Sequence, residues 1–147
     1  MRLSFSILTA STLMIGTAFA EGETTVLEDQ TWIESMTRGM STFTLGTATA
    51  QLRITCDPDR VFGDYSNGSL GVIMPHDKNP ERVVILSATG HQAIIELTNG
   101  IAPQQAVAAG DWSKLVGILS ENTQFAVVTS SDAVTFNVTE TLNAECR

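Results

Sequence analysis

Two cysteines, Cys56 and Cys146, stand ninety positions apart in this 147-residue chain, and no other feature restricts the fold as much. Whether they can be joined depends on where the chain is sent. It opens with MRLSFSILTASTLMIGTAFA, in which Arg2 is the one charge, Leu3 to Phe19 are largely apolar or hydroxyl-bearing, and Ala18 and Ala20 stand where small residues precede a cleavage site. That is the pattern of a secretory signal peptide over residues 1–20, cut near Ala20. Glu21 rather than Cys follows, which argues against a lipid anchor, and no later stretch reads as a transmembrane segment. A periplasmic or secreted destination is oxidising, so these two thiols are expected as a Cys56–Cys146 disulfide. Closing a loop of that length is worth about 4–5 kcal/mol on the chain-entropy estimate, comparable to the whole stability of a marginal domain.

Local pattern points the same way. In QLRITC the alternation sets Leu52, Ile54 and Cys56 on one face of a strand and Arg53 and Thr55 on the other, aiming Cys56 at the core. VTETLNAEC reads as a short C-terminal helix capped by Thr139, with Leu142 and Cys146 on a shared face. A nucleophilic cysteine would need a lowered thiol pKa and a base, and only His76 and His91 are present to serve. The same four side chains show no zinc-ligand spacing, and no cofactor motif accompanies them.

The rest of the mature chain reads as short strands with turn signals between them. Residues 21–30, EGETTVLEDQ, are polar and acidic and are expected as a flexible arm, followed by a single β-rich domain over 31–147. TFTL and QLRITC flank the small-residue stretch GTATA. Asn67-Gly68 sits between strand-like runs and is the strongest short-range hairpin signal; Thr89-Gly90 and Ser130 to Asp132 mark two further hairpins. One segment departs from this period. GDWSKLVGILSEN places Trp112, Leu115, Val116 and Leu119 at helical spacing behind Asp111 as an N-cap, and Gly117 inside it costs up to about 1 kcal/mol against Ala. The expected fold is mainly β, an antiparallel sandwich or small open barrel, lidded by that amphipathic helix and closed by the short C-terminal one.

Charge narrows the partners. The first 20 residues hold only Arg2, so the remainder carries 7 basic against 16 acidic side chains, a formal charge of −9. Such a surface repels phosphate backbones and anionic headgroups, which argues against nucleic acid and basic membrane-surface roles. Within it, DPDRVFGD gathers Asp57, Asp59 and Asp64, but Val61 and Phe62 stand where a calcium loop needs a ligand and a glycine, and Pro58 favours a turn with Arg60 near enough to pair with an Asp. MPHDKNPER puts His76, Asp77, Lys78, Glu81 and Arg82 between two prolines, a rigid solvated loop in which His76 and Asp77 are half of a general-base pair by composition only. NGSLG resembles a nucleophile elbow around Ser69, with Asn67 where the first Gly belongs. The stretch GIAPQQAVAAG is uncharged and small in an acidic chain. It reads either as a connector packed under the helix or as an adaptable surface for a ligand or partner built from Ile101, Pro103, Gln104, Gln105 and Val107.

The order of signal peptide, LRITC strand, hairpins, GDWSKLVGILSEN and AVTFNVTETLNAEC resembles that of small disulfide-closed bacterial periplasmic β-proteins, among them VasI-like accessory proteins associated with type VI secretion. The resemblance implies an envelope-located β-domain with an interaction role and no transferable active site. Residues and resemblance together lead to a non-enzymatic periplasmic or secreted binding or accessory module, its partner a cell-envelope protein or small ligand. The alternatives are a small secreted hydrolase using dispersed carboxylates or histidines, and a secreted inhibitor of a partner enzyme.

Overall fold

The computed structural model describes residues 24–146; the signal-peptide reading lies outside them. In chain order the elements are β1 (Thr24–Gln30), β2 (Ile33–Thr37), β3 (Met40–Gly46), β4 (Gln51–Cys56), β5 (Ser69–Ile73), β6 (Arg82–Ser87), β7 (Gln92–Glu96), β8 (Ile101–Pro103), a 3-10 turn at Gln104–Ala106, α1 (Ala109–Glu121), β9 (Gln124–Val128) and β10 (Ala133–Val138). They form two five-stranded sheets, ordered β1-β10-β9-β6-β7 and β2-β3-β4-β5-β8. The architecture is a β-sandwich and not a closed barrel, because each sheet keeps two free edges.

Alternation within the strands fills the space between the sheets. Phe43 and Leu45, Leu52 and Ile54, and Leu70 and Val72 point inward from the second sheet, while Val83 and Ile85, Phe125 and Val127, and Val134 and Phe136 do so from the first. Phe125 and Phe136 stack across the β9–β10 ladder at a centroid distance of 5.6 Å. The helix packs on β7 and β6. Its buried residues are Trp112, Leu115, Ile118 and Leu119, so Ile118 takes the place expected for Val116, which is only half-buried.

Two of the three expected hairpins close as the turn signals indicate, β6–β7 at Thr89-Gly90 and β9–β10 around Ser130 to Asp132, and β3 and β4 form a further one across GTATA. Asn67-Gly68 does not form the tip of a hairpin. The β4–β5 connection runs from Asp57 to Gly68, and Asn67 is held at its far end by Asp57, so RVFGDYS never becomes a strand. Residues 24–30 of the expected flexible arm are β1, paired parallel with β10 from Thr24↔Ala133 to Gln30↔Val138. Acidic composition did not prevent this, since strand pairing uses backbone groups and leaves Glu28 free to bond Asn137 at 2.8 Å.

The C-terminal helix is also corrected: residues 139–146 run without helical structure. Their backbone donors are claimed elsewhere, Thr139 N–H by the Gln30 carbonyl (2.8 Å) and Leu142 N–H by the Leu119 carbonyl (2.9 Å), and so short a helix could not outbid them. Asp111 is not the N-cap. The helix begins two residues earlier behind Ala108, whose carbonyl accepts from Asp111 and Trp112, and Asp111 instead lies in the first turn, where its charge favours the helix and meets Lys114 at 3.5 Å.

Candidate binding surfaces

The disulfide is present. Cys56 ends β4 on the inner face of the second sheet, its Cα is 4.7 Å from that of Cys146, and both residues are buried. Trp112 Nε1–H donates to the Cys146 carbonyl at 2.8 Å, so the bridge ties β4, the chain terminus and α1 together.

Asp57 follows the cysteine and organises the loop beyond it. It is 2% exposed. Oδ1 accepts Val61 N–H at 2.9 Å, and Oδ2 accepts Asn67 N–H at 2.9 Å and Asn67 Nδ2–H at 3.0 Å. The Val61 and Asn67 backbone donors, helped by the Asn67 amide and Arg60 N–H, hold the Asp57 carboxyl below the usual carboxylate range against the opposing effect of burial. Asp57 is therefore a turn residue with its lone pairs engaged, and Arg60 forms no ion pair with it or with Asp59 among the described residues. The loop it shapes presents Phe62 and Tyr65, 60% and 71% exposed.

The five expected surface residues separate. Gln104, Gln105 and Val107 line a groove of about 640 Å³ between the 3-10 turn and the exposed side of α1, with Ser66, Val116 and Gly117 opposite or beside them and Cys146 at its floor. Gln104 is fixed there by its N–H to the Gly68 carbonyl (2.8 Å) and by Ser66 Oγ–H on its Oε1, and Gln105 Nε2–H reaches the Ser66 carbonyl at 3.1 Å. Ile101 and Pro103 belong instead to β8, paired with β5; Ile101 borders a separate hollow with Arg53 and Gly71. GIAPQQAVAAG is thus neither a plain connector nor one loop, but an edge strand, a turn and the first turn of a helix in succession.

His76 is paired, but not with Asp77. Its Nδ1 stands 2.7 Å from Asp132 Oδ1 and its backbone N–H donates to Oδ2 at 3.0 Å, joining the β5–β6 loop to the β9–β10 turn. The Asp132 side chain is nearly buried and the imidazole well exposed. His91 lies at the other end of β6, roughly 17 Å away along a six-residue strand, so the two histidines do not meet. Ser69 is a β5 ladder residue paired with Thr55, without a hydrogen-bonded histidine among the described residues. Among those residues no group of three or more His, Cys, Asp or Glu side chains is arranged to hold a metal, and no helix is long and apolar enough to cross a membrane.

One surface was not anticipated. Opposite its core face, the first sheet carries two apolar rows, Ile94–Val84–Val128–Ala133 and Leu86–Ala126 leading through Thr135 to Val26, as the cross-strand register dictates. These side chains are only half-buried, and Val26 is exposed. Polar groups border them: Arg82 and Glu96 pair at 3.4 Å on one side, and on the other Gln124 bonds Asn137, which bonds Glu28, each at 2.8 Å. The second sheet's outer face differs: Thr42, Thr44, Gln51, Arg53, Thr55 and Ser69 make its centre polar, and its aliphatic residues, Ile33, Ile73 and Ile101, stand apart toward the edge strands and the end of β5. A signal for the apolar face existed in RVVILS, AIIE and FAVV, which are nearly unbroken apolar runs where a strand with one wet face alternates.

Comparison with known proteins found no matching family model, no matching curated protein and no matching solved structure.

Proposed function

We propose that the chain is a non-enzymatic binding or accessory module of an oxidising compartment, periplasmic or secreted, that docks a folded protein partner on the outer face of its first sheet. The observation that carries this reading is the contrast between the centres of the two outer faces: contiguous aliphatic rows across β6, β7 and β9, and polar side chains across β3 and β4. A strand apolar on both sides is the composition of a strand covered on both sides. An apolar centre with a polar rim is also the anatomy of a protein interface, and the hollow of about 780 Å³ that Val84 and Val128 border is otherwise lined by polar and charged groups, Asp77, Asn79, Glu81 and Arg82 among them, unlike the mostly apolar lining of a small-molecule pocket. The disulfide-closed sandwich supplies a rigid platform, and the accessory role implied by the VasI-like resemblance belongs to the same proposal.

Val84 lies between Ile94 and Val128 at the centre of the patch. Val84→Lys should weaken a complex formed in envelope extract at least ~10-fold while thermal stability holds, and Thr44→Lys on the opposite sheet should leave the complex intact. Equal binding by both variants, or equal loss, would sink the reading. A hydrolase remains the second reading because Asp132 orients His76 as a base-positioning carboxylate does. It requires a measurable turnover that His76→Gln abolishes without unfolding the protein.

A further inference from the structure

Thr37 and Met40 close the β2–β3 hairpin on a two-residue turn, with Arg38 at φ 51° and Gly39 at φ 81°. The same backbone recurs at Asn99 and Gly100, φ 51° and 75°, where the flanking Thr98 and Ile101 exchange both backbone hydrogen bonds at 2.8 and 3.1 Å. A turn of this kind therefore closes on a hydrogen-bonded pair. Such pairs alternate along an antiparallel ladder, so Thr37, Ser35 and Ile33 commit their backbone groups to β3, while the N–H and C=O of Met36 and Glu34 face away from the sheet. All five residues of β2 are exposed, Met36 by 69%. The strand ends its sheet with no proline, lysine or bulge, and Glu34 is its one charged residue.

Two charges make this edge complementary to itself. Glu34 and Arg38 are roughly 13 Å apart along one chain, too far to pair with each other, and neither enters an ion pair among the described residues. Arg38 also occupies a left-handed turn position that Asn, Asp or Gly fills at lower cost, as Asn99 does in the matching turn. In an antiparallel pairing of two copies centred on Met36, Met36 meets Met36, Ser35 faces Thr37, and Glu34 of each copy stands opposite Arg38 of the other. Registers shifted by two residues give this up, setting Met36 against Glu34 in one and against Arg38 in the other, and a shift of four sets Glu34 against Glu34.

We propose that a second copy of this chain adds along β2 about a two-fold axis at Met36, joining the second sheets of the two copies. Two backbone hydrogen bonds between the Met36 residues and two reciprocal Glu34–Arg38 contacts hold the pair. The contact is short and each copy is acidic, so the dimer is weak and forms only at high local concentration.

Sedimentation equilibrium of the disulfide-bonded protein from ~10 µM to ~1 mM, at about 150 mM salt, tests it. The expected result is a reversible monomer–dimer equilibrium that Glu34→Arg or Arg38→Glu alone weakens at least ~10-fold and that the double swap restores. Restoration also excludes misfolding as the reason for the single losses. A monomer at every concentration overturns the proposal, as does a dimer indifferent to either reversal, a double swap that fails to recover, or association that continues past the dimer.

Discussion

Replacing Cys56 and Cys146 together by Ala removes a crosslink whose effect can be worked from its place in the chain. The bridge closes a 90-residue separation, and the chain-entropy relation gives about 4–5 kcal/mol for a loop of that size. For roughly 125 ordered residues the unfolding entropy is about 0.26 kcal/mol per kelvin, so the loss corresponds to a fall in Tm of about 15–20 °C. Most of this acts on the unfolded chain, which gains freedom, and little of it on the native state. The native end remains docked through other contacts: Leu142 N–H on the Leu119 carbonyl, the Trp112 indole on the Cys146 carbonyl, and Leu142 itself in the core. The double variant should therefore keep the fluorescence of buried Trp112 below its transition while its calorimetric Tm drops by the stated amount. A shift under ~5 °C would refute the loop-closure account, and a red-shifted native emission would show that the bridge builds the α1 contact instead of only restricting the unfolded chain.

Two further outcomes follow from named positions. Gly117→Ala should stabilise the protein by about 0.5–1 kcal/mol in chemical denaturation, because Gly117 lies inside α1 at an ordinary helical φ and a Cβ there meets no atom within 4 Å; a loss of stability would show a constraint the free space does not reveal. Asp57 has its folded pKa lowered, chiefly by Val61 N–H and then by Asn67 N–H, so its contribution is fully present above the ordinary carboxylate range and is lost as pH falls through the lowered folded value. Asp57→Asn should accordingly lower the unfolding midpoint at pH 7 and flatten its decline below about pH 4; an acid limb as steep as that of the native protein would contradict the assignment.

The residues singled out in the sequence did not show how the folded surfaces assemble. Gln104, Gln105 and Val107 stood out as an uncharged run in an acidic chain and do line a groove, whereas Ile101 and Pro103 of the same run pair with β5 and face elsewhere. Adjacency in sequence could not show where β8 stops and the 3-10 turn begins. His76 offered Asp77 as its neighbour, yet its carboxylate is Asp132, 56 positions away, because two loops meet at one end of the sandwich. The apolar outer face was visible in RVVILS and FAVV only as a missing alternation. That three strands align those residues into rows is a property of register.

The sequence by itself determined what depends on local rules: alternation placed Cys56 and its strand companions inward, helical spacing produced α1, and a glycine-bearing turn set the hairpin at Gly90. A chain with only two cysteines admits one intramolecular bridge, so the crosslink was legible as well. Tertiary structure alone decided what depends on competition for backbone partners. It drew the acidic segment into β1 beside β10, since a strand can be recruited by any free edge whatever its charge. It also unwound the expected terminal helix, because Gln30 and Leu119 offered carbonyls to Thr139 and Leu142 that eight residues of isolated helix could not match.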